Sequence, residues 1–382
     1  MRSRFSLLPA SELSHRVFGL DLLRALAILL VVLGHTRWIT EPFPVPLKIA
    51  LQGSGILGVE LFFVLSGFLI GRILLVTFEQ NGYQLKFSDV TTFWVRRWFR
   101  TVPAYVLVLL VFIVVYHHEL PTTLGLYFVF FQNYAWQSPY FFNESWTLTL
   151  EEHTYLIAPV VLFAVASIRV ARPQRRTFLY VALGLIGFFT LIRLAYSLTG
   201  QVEEWDDVRK VVVFRLDSIF YGFVGAYLAR YHADRWHRYR WPLLVLGSVL
   251  VLLPLVHYRT YLKYARPDVW ESTFVTSGIG LSVLCLLPFF SSLKQIRWKG
   301  LSRAVTLVSV TSYAMYLVND KLLSRLFENF FQPLPVSFGF ALGVYVLYWI
   351  TLLSLSYVMY RYFEKPMTNL RDFRWSSKKR LV

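Results

Sequence analysis

Ten stretches of the chain are almost wholly apolar: residues 18–38, 56–76, 101–116, 147–169, 177–197, 211–230, 241–257, 272–291, 304–325 and 337–361. A helix rises ~1.5 Å per residue, so about 20 apolar residues cover the ~30 Å hydrocarbon core of a bilayer. The pattern predicts an all-α polytopic transmembrane bundle of about ten spans. An eleventh run, PTTLGLYFVFFQNY at 121–134, opens on proline and closes on polar residues. It predicts a re-entrant or interfacial segment rather than a crossing.

Composition agrees with that pattern. The 382 residues are 56% hydrophobic and only 16% charged, against about a quarter charged in a soluble domain. A net charge of +17 raises nucleic acid as a partner, but the basic residues cluster between the apolar runs, as topology determinants do. With 121–134 left uncrossed, 27 of the 39 Lys and Arg fall on one side, which is therefore expected to be cytoplasmic and to hold both termini. The opposite loops, FQNYAWQSPYFFNESW and QVEEWDD, are acidic or aromatic. Their Trp and Tyr read as interfacial anchors, with sugar contact as the competing role. The expected division is a cytoplasmic segment 1–17, an integral domain 18–362 and a short basic cytoplasmic tail 363–382. No removable signal peptide is expected in the polar start, and the first span is expected to serve as its own insertion signal. One cysteine, Cys285, excludes an intramolecular disulfide and a cysteine metal cluster.

Ionisable residues inside spans are costly and mark functional sites by default. The first run carries Asp21, Arg24 and His35. Arg24 and His35 are eleven residues apart, almost three whole turns, so both project from one face about 16 Å apart along the axis. The bland alternative pairs Arg24 with Asp21 and leaves His35 at the headgroups. Topology puts Arg24 towards the cytoplasm and His35 near the outer end. In SWTLTLEEHTYLIAP, Glu151 and Glu152 enter from the outer side, at a depth similar to His35. A carboxylate beside an imidazole orients it as a general base, whereas acids in a first turn can simply favour the macrodipole. The second reading suits Glu152 and stays open for Glu151. Near the inner face, FWVRRWFRTVPAY supplies Arg96, Arg97 and Arg100, which could clamp phosphates or merely set topology.

Two motif matches carry nothing. Gly53, Gly55 and Gly58 fit a dinucleotide fingerprint, but no βαβ unit surrounds them, and Asn143-Glu-Ser145 is a triplet short enough to occur by chance. Gly67 and Gly71, four apart, fit close helix packing.

Together, the Arg24–His35 spacing, GVELFFVLSGFLIGR at 58–72, FWVRRWFRTVPAY at 93–105, SWTLTLEEHTYLIAP at 145–159, FRLDSIFYGFVGAYL at 214–228, TSYAMYL at 311–317 and FEKP at 363–366 resemble the acyltransferase 3 family of membrane-bound O-acyltransferases. The likeness runs over nearly the whole chain. It implies transfer of an acyl group, most often acetyl, from cytoplasmic acyl-coenzyme A to a hydroxyl of an extracytoplasmic carbohydrate or glycoconjugate, with no metal. It implies His35 and Arg24 in the essential motif, Arg97 and Arg100 as the coenzyme-binding arginine pair, and Glu151 as the acidic position. Combined with the residue reading, Arg96, Arg97 and Arg100 would hold the coenzyme, and His35 with Glu151 would activate the acceptor. The expected form is stand-alone, without a hydrolase-like domain, in a bacterial inner membrane. His153, Thr154 and Asn319 depart from the family pattern, where Gln, Phe and His are common. A rival from another class is a transporter or flippase for a lipid-linked glycan.

Overall fold

The computed structural model describes residues 16–168, 174–261, 266–332 and 337–370. Each predicted run holds a helix: α1 (Phe18–His35), α2 (Val45–Gln80), α3 (Phe87–Val115), α4 (Ser145–Ser167), α5 (Arg175–Leu198), α6 (Asp217–Tyr231), α7 (Arg240–Tyr261), α8 (Thr276–Ser292), α9 (Lys299–Val318) and α10 (Phe338–Met359). Among the described residues there is no strand. Helix is the form in which a lone segment satisfies its own backbone in lipid.

Among the described residues, eight segments are long and apolar enough to cross a membrane, fewer than the ten expected. The run from 211 is α-helical only from Asp217: Val212–Phe214 form a single 3₁₀ turn, with the N–H groups of Val212 and Val213 donated to the carbonyls of Asn133 and Tyr134. The apolar part of α7 is likewise short, Arg240–Leu252. The segment 121–134 contains a five-residue helix, Leu124–Phe128, which rises only ~7 Å and cannot cross.

Burial separates centre from rim. The spanning windows of α1 and α2 are 61% buried, and those of α5 and α10 only 22%. The rim helices present Leu191, Phe188 and Ile350 outward, as lipid-facing helices do. At the centre, α1 and α2 run antiparallel, and α2 also packs along α6. A Cβ on Gly67 would lie 1.9 Å from the Ile219 carbonyl oxygen, and one on Gly222 2.1 Å from that of Val64. Only glycine allows α2 and α6 to approach so closely. Gly55 and Gly58 meet Gly34, Ala27 and Val31 of α1, so those two glycines of the false fingerprint are packing positions.

Charges buried in this centre are paired. Arg193 of α5 donates to both oxygens of Asp217 of α6 at 2.9 and 2.8 Å. Arg215, just before α6, pairs with Glu60 of α2. The first backbone donors of α1 have no side-chain cap. Phe18 and Gly19 give them to the carbonyls of Lys294 and Leu293 beyond α8, which ties α1 in place.

Candidate functional site

Two cavities open back to back along the inward face of α1. Asp21, fully engaged by Arg16 at 2.7 and 2.5 Å and by Ser309 at 2.8 Å, leaves Arg24 at 3.8 Å. The bland pairing of Arg24 with Asp21 is therefore at best loose. Arg24 instead lines a cavity of about 120 Å³ with Arg97 and Arg100 of α3, Ser66 of α2 and Glu151 of α4. The remaining wall is largely apolar, with Phe62, Leu69 and Ile73.

Glu151 and Tyr155 are four residues apart and share a helix face. The Tyr155 hydroxyl donates to Glu151 Oε2 at 2.8 Å, and Ser66 donates to Oε1 at 2.8 Å. Arg97 stacks over the Tyr155 ring at 4.3 Å, bonds its hydroxyl at 2.5 Å and lies 3.8 Å from Glu151. Arg97 is thus partly neutralised by Glu151, and Arg24 more loosely by Asp21 at 3.8 Å. Arg96 is exposed and does not line it.

His35, at the other end of α1, lines a larger cavity of about 370 Å³. Its Nδ1 sits 2.6 Å from Asn319 Oδ1. Trp146, Trp205, Arg209 and Lys210 form the opposite wall, with Arg37, Asp206, Asp320 and Glu144 around it. The wall is braced by loops: Asn133, fully buried, donates to the Lys210 carbonyl at 2.7 Å and to that of Trp146 at 3.3 Å. Arg209 lies over the Trp146 ring at 5.2 Å. Burial alone would raise the Asp206 carboxyl, but Arg209 and Lys210 overcome it and hold it down to about 2. Burial, and then the negative charge of Asp320, pushes the Glu144 carboxyl well above the usual carboxylate range.

Val59 and Tyr316 line both cavities. The Tyr316 hydroxyl is pinned between them, donating to the Glu144 carbonyl at 2.7 Å and accepting from Thr147 Oγ1 at 2.5 Å.

Several expectations need correction against this geometry. Glu151 does not accompany His35. It lies in the Arg24 cavity, because its helix face turns towards Ser66 and Arg97. Glu152 does not cap α4: it is 4% exposed in the second turn and accepts from Thr101 at 2.7 Å, tying α4 to α3. Trp146 and Trp205, 4% and 6% exposed, are cavity walls and not interfacial anchors. His153 bonds the Thr149 carbonyl at 2.9 Å and packs on Phe131 and Tyr134, lining neither cavity. Tyr155, Tyr316 and Glu144 had no sequence signal beyond their place in the motifs, and Asn319 stood out only as a departure.

The family profile described as an acyltransferase domain matches residues 17–360. A peptidoglycan O-acetyltransferase of Listeria monocytogenes is 33% identical over 214 residues, 50% of this chain and 31% of that protein. A putative peptidoglycan O-acetyltransferase of Bacillus subtilis is 30% identical over 48% of this chain and 29% of its own length. A putative O-acetyltransferase of Staphylococcus aureus is 26% identical over 55% and 34%. The matched stretches thus span about a third of each of these relatives. No solved structure matches.

Proposed function

Since the chain belongs to the acyltransferase 3 family, we propose that it moves an acyl group, acetyl foremost, from acyl-coenzyme A to a hydroxyl of an extracytoplasmic carbohydrate or glycoconjugate such as peptidoglycan. The observation that carries the reading is the pair of cavities, one rich in guanidinium and one holding an imidazole, separated by Val59 and Tyr316.

The donor enters the Arg24 cavity from the cytoplasmic side of a bacterial inner membrane. Arg24 and Arg100 bind its phosphates bidentately, Arg97 is held in place for the same task by Glu151 and Tyr155, and Arg96 meets the donor outside the cavity. The pantetheine arm lies along the apolar wall and brings the thioester to Val59 and Tyr316. From the other side the acceptor hydroxyl reaches His35. His35 takes the hydroxyl proton as the oxygen attacks the thioester carbonyl. The C–S bond breaks, the ester forms, and the imidazolium returns the proton to the departing thiolate. Roughly 16 Å of α1 separates Arg24 from His35, a span the extended arm covers without a carrier residue. A transient acyl-histidine is the two-step variant.

Membranes containing the protein are given acetyl-coenzyme A with and without soluble peptidoglycan fragments, and free thiol and acetylated product are measured. Acceptor-dependent thiol release is expected, falling by about 10²-fold or more in His35→Ala with the protein still inserted. Wild-type rates in that variant would overturn the mechanism. A glycan transporter would release no thiol in either case.

A further inference from the structure

We propose that Asn319 is the positioning residue of His35: its amide oxygen keeps the ring proton on Nδ1 and so leaves the Nε2 lone pair to act on the acceptor. This rests on the reading of His35 as general base. Asn319 is fully buried. Its amide nitrogen lies 3.0 Å from the Met315 carbonyl oxygen and 2.7 Å from that of Tyr316. A carbonyl oxygen can only accept, so the group facing both must be the NH₂. That choice turns Oδ1 towards His35. Oδ1 is itself an acceptor only, so His35 Nδ1, at 2.6 Å, must be the donor. A neutral imidazole has a single N–H, which leaves Nε2 unprotonated.

The amide is held rigidly enough to enforce this. The Asn319 backbone N–H bonds the Met315 carbonyl, and its own carbonyl accepts from Tyr348 at 2.6 Å. Asn319 opens the π-helical turn Asn319–Ser324, and Ser324 at the far end of that turn accepts from Trp38 at 2.7 Å. The segment after His35 is therefore fixed to the same turn that carries its partner. An amide, unlike a carboxylate, orients the ring without adding charge. The charged groups around the same cavity are Arg37, Glu144, Asp206, Arg209, Lys210 and Asp320.

The test uses the full chain in membranes with acetyl-coenzyme A and peptidoglycan fragments. Asn319→Ala should lower kcat on the order of 10²-fold while leaving the KM for acetyl-coenzyme A unchanged. Asn319→Asp puts a negative charge beside Nδ1 and favours the imidazolium, so the acid limb of the kcat/KM profile should move up by about one pH unit. A merely structural role would not move that limb. Glu144 shares the cavity and its carboxyl is raised, so both profiles are repeated in a Glu144→Gln background, where the shift should persist. Independently of variants that fail to insert, ring-nitrogen NMR of the wild type, with His35→Gln as the assignment control, should show a pyrrole-type Nδ1 and a pyridine-type Nε2. A proton found on Nε2, or wild-type kcat in Asn319→Ala together with an unmoved limb in Asn319→Asp, beside an inactive His35→Ala, overturns the role of Asn319 alone. An active His35→Ala removes the general-base reading underneath it.

Discussion

The two cavities on α1 are built from different materials. The Arg24 cavity is enclosed by transmembrane helices, and its polar lining is lopsided: three guanidiniums face the single carboxylate Glu151. The His35 cavity is about three times larger and closed by loops. Its three cations, Arg37, Arg209 and Lys210, face Asp206 and Asp320, the raised carboxyl of Glu144 sits beside them, and two tryptophans lie among them. An excess of arginine in a narrow apolar slot suits a polyanion with a thin tail. An aromatic basin with charges of both signs suits a polyhydroxylated ligand of low net charge. One span joins them because an eleven-residue spacing puts both key side chains on a single face.

The sharpest contrast is between arginines that hold the bundle and those that face a cavity. Arg193 and Asp217 have fully buried side chains and form a two-bond ion pair. Removing one partner of such a pair leaves a buried uncompensated charge, at a cost of about 3–5 kcal/mol. Arg193→Ala should therefore deplete the folded protein from membranes, as read by abundance and by thermal midpoint in detergent. Arg100→Ala should leave both readouts unchanged. It should raise the KM for acetyl-coenzyme A by roughly 10- to 100-fold, the equivalent of about 1.5–3 kcal/mol for a charged hydrogen bond. If Arg100→Ala behaves like Arg193→Ala, the division between structural and donor-binding arginines fails.

Much of the helical fold and of the two-ended α1 is legible in the sequence, and the reason is periodicity. Apolar runs become helices because lipid offers the backbone no other partner, and the Arg24–His35 spacing fixes a shared face whatever the tertiary structure. What periodicity does not supply is the neighbour. Glu151 has the same face in sequence and in structure, but which helix stands opposite depends on the packing of α2 against α4, and that placed it with Ser66. His35 and Asn319 are 284 positions apart, beyond any local pattern. The shortened start of α6 has no signature in the sequence, because Val211–Phe214 is as apolar as a span. Its backbone is diverted to Asn133 and Tyr134.

The basin itself can be probed at Trp205, which contributes an aromatic wall without belonging to α1 or to any span. Trp205→Ala removes contact area and a stacking face, and a sugar acceptor should then bind roughly tenfold more weakly, about 1.4 kcal/mol. The KM for acetyl-coenzyme A should stay constant. A change in the donor KM and none in the acceptor KM would reverse the assignment of the two cavities.

The smallest effect is expected at the partition. Tyr316 closes the wall between the cavities with one hydrogen bond given to the Glu144 carbonyl and one received from Thr147. Tyr316→Phe keeps the ring and its contact with Phe62 but frees the ring to swing. Losing a net ~1 kcal/mol of hydrogen bonding raises the open population about fivefold. An open partition admits water from the His35 basin to a thioester waiting in the Arg24 slot, so thiol release without acceptor should rise by about that factor, while acceptor-dependent transfer changes little. An unchanged background rate would mean that the wall does not limit access, and the two cavities would then have to communicate by a route that avoids Tyr316.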